Sequence, residues 1–209
     1  MPLTLYWAPM SSAGITVNVL KALKVEPDKR IEVSIMDGDT HKPDFLKLNP
    51  HGKVPVIVHD EVVIFESAAI TLYLGETFGV QAGLYPPPGP PRGEVMKWVV
   101  WANTDIFATA SALHKHMTSK AVGAEAKADG LPDDHYKKSR EYDSAKQQML
   151  KHMKVLDGAL AGKQYLAGNK YSLADVHVHS IVWWISMLQP ITESTPNVQA
   201  WMARINDKA

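Results

Sequence analysis

The segment 81–93 carries five prolines and three glycines, and no other feature constrains the fold so strongly. Proline has no amide proton and a fixed φ, so a run of this kind can neither continue a helix nor pair as an inner strand. The chain is therefore predicted to divide into a first domain at 1–80, a linker at 81–93 and a second domain at 94–209, two modest domains that together use all 209 residues.

The two sides differ in hydrophobic period. Leu3, Leu5 and Trp7 alternate with Thr4, Tyr6 and Ala8 until Pro9, which predicts a short strand. Ser12 is placed to cap a helix with Ile15, Val19, Leu20 and Leu23 on its buried face. A second strand is predicted over Ile31–Met36, a short helix over Pro43–Leu48, and an antiparallel pair over Val54–Val58 and Val62–Phe65 around the turn His59-Asp60-Glu61. Ser67 opens another helix, with Ala69, Ile70, Tyr73 and Leu74 as apolar positions and Gly79 to end it, giving the order βαβαββα. After the linker the spacing is three or four throughout, as in Tyr142, Ala145, Met149, Met153, Leu156 and Leu160, or Val176, Ser180, Trp183, Trp184, Met187 and Leu188. The second domain is predicted to be an all-α helical bundle, with Val122–Asp134 as a loop.

Composition removes several function classes. Lys plus Arg balances Asp plus Glu at 22 each, so no overall field concentrates nucleic acid or an anionic membrane. No stretch approaches the roughly 18 to 20 apolar residues that cross a bilayer, and Met1–Met10 lacks the basic start of a secretory signal; the expectation is a cytosolic (cytoplasmic) protein. The chain has no cysteine, so any thiol chemistry must use another molecule's sulfur. His114 and His116, like His177 and His179, stand two apart and diverge on a helix, so no metal site is expected.

The chemistry concentrates in three short segments. In Asn49-Pro50-His51-Gly52-Lys53-Val54-Pro55, Pro55 falls at the start of a strand. It is either an edge-strand proline or a cis residue that turns the Val54 N–H and C=O outward to bind another peptide backbone. At Glu66-Ser67 a strand runs into a helix. The Ser67 hydroxyl and the helix amides can receive a carboxylate and Glu66 can meet an amine, or the pair is an ordinary helix cap. Ser11 and Ser12 stand before the first helix, where a hydroxyl can cap it.

Through Ala8-Pro9-Met10-Ser11-Ser12, Gly52-Lys53-Val54-Pro55 and Glu66-Ser67-Ala68-Ala69-Ile70 the chain resembles the glutathione transferase superfamily, in its serine-type, phi- and zeta-like, bacterial-style form. The resemblance covers nearly the whole chain and implies an α/β thioredoxin-like first domain. It includes Ser172-Leu173-Ala174-Asp175, which is similar to that family's capping box in the helical core, with Tyr171 and Val176 as a hydrophobic staple. Ser11, six residues before Val17, occupies the family's catalytic serine position and Ser12 is second choice. The implied role is to hold the glutathione sulfur as thiolate, lowering a thiol pKa that is ordinarily about 8.5. The resemblance further implies glutathione contacts from His41, Lys42 and Lys53 at the glycine end, Val54 with Pro55 at the cysteinyl backbone, and Glu66 with Ser67 at the γ-glutamyl amine and carboxylate. Many relatives carry an arginine where this chain has Thr16. Tyr6, inside a strand, reads as a packing residue rather than a catalytic one.

Met10, Trp98, Trp101, Asp105, His114 and Met117 are the candidate cosubstrate pocket, the helical ones because the first helix of the second domain is expected to face the sulfur. The leading expectation is a detoxifying transferase that joins glutathione, as cosubstrate, to small apolar electrophiles, in a homodimer implied by the resemblance. The alternatives are a glutathione-dependent isomerase, dehalogenase or ether-cleaving enzyme on the same site, or a non-catalytic binding module of the same fold.

Overall fold

The computed structural model describes residues 2–118, 140–187 and 192–206, with 116–118 as backbone only; the expected loop at 122–134 and the positions of the Met117 and Leu188 side chains lie outside the described residues. The elements of the first domain run β1 (Leu3–Trp7), α1 (Ala13–Leu23), β2 (Lys29–Glu32), α2 (Pro43–Leu48), β3 (Val56–His59), β4 (Val62–Phe65) and α3 (Ser67–Leu74). The predicted βαβαββα order is the observed one. The strands lie in the order β2-β1-β3-β4, with β1 parallel to β2 and antiparallel to β3, and β3 antiparallel to β4.

Alternation along the strands sends side chains to two faces. Leu3, Leu5 and Ile57 point into the larger core shared with α1, α3 and the helical domain. Val56, Ala8, Val33 and Phe45 form a smaller core on the other face, with Tyr6 packed against it edge-on to Phe45 at 6.1 Å. Tyr6 is thus a packing residue, as its place in the strand predicts. The β3–β4 hairpin closes on Asp60 and Glu61, both at positive φ (47° and 70°), the conformation of a tight two-residue turn, so His59 belongs to β3 and not to the turn.

Three boundaries differ from the sequence reading, each for a local reason. β2 spans Lys29–Glu32 rather than Ile31–Met36, because Ser34 accepts and donates in a turn: its amide goes to the Asp39 carboxylate (2.8 Å), its hydroxyl takes the Asp37 amide (3.1 Å) and its carbonyl takes the Asp39 amide (2.9 Å). Such side-chain bonds outcompete a strand. β3 starts at Val56 because Pro55, joined to Val54 by a cis peptide, precedes the first residue that can donate to a ladder. The first helix after the linker starts at Pro90, within the stretch read as linker, since prolines at the first turn of a helix forfeit only amides that have no intrahelical partner.

The second domain comprises α4 (Pro90–Trp101), α5 (Ala108–Thr118), α6 (Arg140–Leu160), α7 (Leu173–Ser186) and α8 (Pro196–Asn206). Wider π turns occupy Gly75–Gly79 after α3 and Ala102–Phe107 between α4 and α5. α6 buries Tyr142, Met149, Met153, Leu156 and Leu160 as its spacing predicts. α7 does not follow the predicted stripe: every residue from Leu173 to Val182 is buried, while Trp183 and Met187 are 47% and 51% exposed. The cause is its central position, against α1, α3, α4 and α8 at once; a helix surrounded on all sides needs no polar face.

The Ser172–Asp175 capping box anchors that helix. Asp175 is fully buried and accepts from the Ser172 amide (2.9 Å) and hydroxyl (3.0 Å), the Leu166 amide (2.9 Å) and the Trp201 indole (2.9 Å). Burial raises its carboxyl pKa and these four bonds oppose the rise. The linker is fastened to both domains: Leu84 and Tyr85 donate to the Gly79 carbonyl (2.9 and 3.0 Å), and Leu173 donates to the Leu84 carbonyl (2.9 Å). Among the described residues no helix is long and apolar enough to cross a membrane.

Candidate glutathione site

Sheet register decides which segments meet. Tyr6 pairs with Val56 and Val56 with Phe65, so the next residues, Trp7 onward, Pro55 and Glu66, emerge at one end of the sheet. The three motif segments are thereby gathered on one ledge, and β2 delivers the loop 33–41 to the same end through the bond from the Val33 amide to the Trp7 carbonyl (2.9 Å).

On this ledge Ser11 and Ser12 hold different partners. The Ser11 hydroxyl donates to the Ala8 carbonyl (2.7 Å) and accepts from the Ala13 amide (3.2 Å), so it caps the start of α1. Ser12 donates across the ledge to the Val54 carbonyl (3.0 Å). The expected outward pair at Val54 is therefore half engaged: its carbonyl takes Ser12, and its amide makes no hydrogen bond among the described residues. Both serines are half-buried, within reach of solvent, and the α1 N-terminus places positive partial charge beside Ser11.

The loop into Val54 is shaped by Asn49. Its buried side chain donates to the Lys53 carbonyl (2.7 Å) and accepts from the His51 amide (3.1 Å). Gly52 sits at φ +61°, and a side chain there would meet the Thr40 carbonyl at 3.1 Å and the His41 ring at 3.3 Å. His41 therefore packs against the turn that leads into Lys53, and both side chains are exposed. Lys42 points elsewhere: its ammonium pairs with Asp39 at 2.5 Å, which raises the lysine pKa and lowers that of the carboxylate. Of the three side chains expected at the glycine end, His41 and Lys53 are both exposed, flanking the Gly52 turn, while Lys42 pairs with Asp39 of its own loop.

Glu66 lies at φ +70° and is exposed, while Ser67, at the first turn of α3, is buried and donates to the Asn103 side-chain oxygen (2.8 Å). Asn103 comes from the π turn of the helical domain, and no sequence motif marks it. Thr16, at the arginine position of many relatives, is sealed in the core with its hydroxyl unpartnered among the described residues.

The cosubstrate candidates scatter into three settings. Met10 is 87% exposed beside Ser11, and Ile35 and Met36, expected in a strand, are exposed on the neighbouring loop. Trp98 is core, 8% exposed and edge-on to Trp101 at 5.2 Å. Trp101 meets the His152 ring (6.0 Å), whose pKa burial lowers while the charge of nearby Asp105 opposes the fall. His114 packs at a tilt against Trp184 (5.5 Å), which also meets Phe107 (6.0 Å). Clefts of about 650 Å³ open between α1, α7 and α8, beside Asn18, Lys24 and Trp183, and between α5 and α6, beside Thr109 and Gln148; neither is lined by Ser11. Among the described residues no three His, Asp or Glu side chains are grouped to hold a metal ion.

Comparison with known proteins identifies the family of the fold. Residues 1–76 match the family model "Glutathione S-transferase, N-terminal domain" and residues 107–208 the model "Glutathione S-transferase, C-terminal domain". Glutathione S-transferase 3 of Zea mays is 27% identical over 213 residues, covering 98% of this chain and 89% of the maize protein. GstB of Escherichia coli K12 is 24% identical, covering 97% and 92%. Among solved structures, a glutathione transferase from Populus trichocarpa superposes with a TM-score of 0.78 at 25% identity, over 98% of this chain and 93% of that one. A glutathione transferase homologue from Sulfitobacter with bound glutathione gives 0.77 at 19% identity, over 100% and 94%, a likeness of fold. Two matched domains in the right order, on a fold that the sequence elements dictate, establish that this chain belongs to the glutathione S-transferase superfamily.

Proposed function

We propose that this glutathione transferase conjugates the glutathione thiolate to small apolar electrophiles, with the Ser11 hydroxyl stabilising the sulfur. The observation that carries the reading is the convergence of the α1 N-terminus, the Val54–Pro55 turn and Glu66-Ser67 at one end of the sheet. A tripeptide laid along that ledge would meet the Val54 amide with its cysteinyl backbone, Glu66 with its amine, Ser67 and the first amides of α3 with its γ-glutamyl carboxylate, and His41 and Lys53 with its glycine carboxylate. Its sulfur would then lie by Ser11.

To donate to sulfur, the Ser11 hydroxyl must turn from the Ala8 carbonyl, giving up one neutral hydrogen bond for a charge-assisted one. Ser12 has a different task in this reading: its bond to Val54 holds the binding turn against α1, making it a positioning residue. The nucleophile attacks with no bond to the protein, so catalysis consists of thiolate stabilisation and alignment. Exposed Met10, Ile35 and Met36 supply an apolar rim on the sulfur side. The active species in this reading is a cytosolic homodimer, with a sedimentation mass near twice the 23.1 kDa of the chain; a mass near that of one chain would refute it.

The test is the thiolate absorbance of bound glutathione across pH for the wild type, Ser11→Ala and Ser12→Ala. Ser11→Ala alone is expected to raise the thiol pKa and lower conjugation at neutral pH; Ser12→Ala is expected to weaken binding and leave the thiol pKa in place. A wild-type complex that shows no thiolate would overturn the transferase reading in favour of a binding module.

A further inference from the structure

The hydroxyl of Ser67 is oriented the wrong way for the task just assigned to it. It gives its one proton to the Asn103 oxygen at 2.8 Å, so lone pairs face the ledge, and lone pairs repel a carboxylate. Ser67 is only 5% exposed, with little room to swing its oxygen outward. Asn103 is half-buried and its amide nitrogen makes no hydrogen bond among the described residues, so nothing fixes that end of the side chain. A carboxamide has nearly the same shape with oxygen and nitrogen exchanged.

We propose that Asn103 is a positioning residue that sets the polarity of Ser67 by a half-turn of its carboxamide, so that the helical domain arms the γ-glutamyl subsite of the first domain. In the free protein the Ser67 O–H donates to the Asn103 oxygen. When a carboxylate arrives, the amide turns, its N–H donates to the Ser67 oxygen, and the released Ser67 proton donates to the carboxylate. The count of hydrogen bonds rises by one, and the heavy atoms that must move are the Asn103 amide oxygen and nitrogen, which exchange places. The π turn at Ala102–Phe107 carries Asn103 to Ser67; π turns are rare and concentrate at functional sites. The inference rests on the reading of Ser67 as the carboxylate group of the glutathione site.

An aspartate at this position separates the switch from a passive prop, because a carboxylate can accept from Ser67 and cannot donate to it. Asn103→Asp and Asn103→Ala are compared with the wild type, and again in a Ser67→Ala background. Each is titrated with glutathione and with 4-aminobutyryl-cysteinylglycine, which lacks the γ-glutamyl α-carboxylate. Losing a charge-assisted bond is expected to weaken glutathione binding about tenfold or more in Asn103→Asp and several-fold less in Asn103→Ala. The Asn103→Asp loss is expected to shrink as pH falls and the introduced carboxylate gains a donor proton. It is also expected to vanish for the decarboxylated analogue and in the Ser67→Ala background. Equal losses for glutathione and the analogue, an unchanged affinity in Asn103→Asp, or losses that add to those of Ser67→Ala would overturn the switch. A wild type that fails to bind glutathione would instead remove the reading on which it rests.

Discussion

Neutral His177 links the two domains, and acid is expected to break that link. Its Nδ1 pairs with the Thr71 hydroxyl of α3 at 2.9 Å, it is wholly buried in α7, and its Nε2 has no partner among the described residues. Burial pushes its pKa from 6.5 down to about 3. Well above pH 6.5 neither folded nor unfolded chain protonates it, and it costs nothing. Below that, the unfolded chain gains a proton that the folded chain refuses, so stability is lost as pH falls, with a limiting slope of about 1.4 kcal/mol per pH unit until about pH 3. Between about pH 7.5 and about pH 5 the loss is about 2 kcal/mol. The substitution His177→Asn keeps an amide near the Nδ1 position without a titrating group, so it is the perturbation, and urea unfolding at fixed protein concentration is the assay. His152 and His179, whose pKa values burial also lowers, add to acid sensitivity equally in both proteins and cancel in the difference. The advantage of wild type over variant should shrink by about 2 kcal/mol on acidification; parallel pH profiles would refute the reasoning.

Two further perturbations probe the frame around the site. Asp175→Ala strands four buried donors and should cost about 4 kcal/mol or more, whereas Asp175→Asn keeps one acceptor oxygen for Leu166 and Trp201 and should cost clearly less; denaturant midpoints at constant m would rank them. Gly79→Ala would set a methyl 2.7 Å from the buried Tyr85 side chain, an overpacking cost of about 1–3 kcal/mol, read as a lowered Tm with the glutathione affinity of the surviving fold unchanged.

How much of this is legible in the sequence depends on whether a signal is local. β1, α1, α2 and β4 follow from alternation, helical spacing and Pro43, which need only near neighbours. β2 is harder to place because Ile31, Val33 and Ile35 alternate like a strand, while the Ser34–Asp39 turn that ends it is written in polar residues. α7 hides its nature because the stripe rule assumes a wet side, which a helix at the centre of the bundle lacks. At the proposed site, Ser11, Val54 and Glu66-Ser67 are marked by motifs, and sheet register explains why segments so far apart in sequence converge. The sequence does not show that Lys42 pairs with Asp39, a partner that competes for its charge. Asn103 is invisible: its meaning lies in a contact 36 residues away, delivered by a π turn that no composition announces.

The prolines that mark the linker suggest a seam where the chain can be cut, yet the larger core runs unbroken from Leu3 and Ile57 through Tyr85 to Trp201. Seam and core disagree, and the core decides behaviour. Tyr85, pressed against Gly75 and Gly79 on one side and held under Arg92 on the other, works like a rivet rather than a hinge. The halves are not interchangeable parts: a chimaera joined within the linker would inherit a keyhole cut for another rivet, and new substrate preferences are more readily reached by altering side chains on the ledge than by trading one half for a relative's.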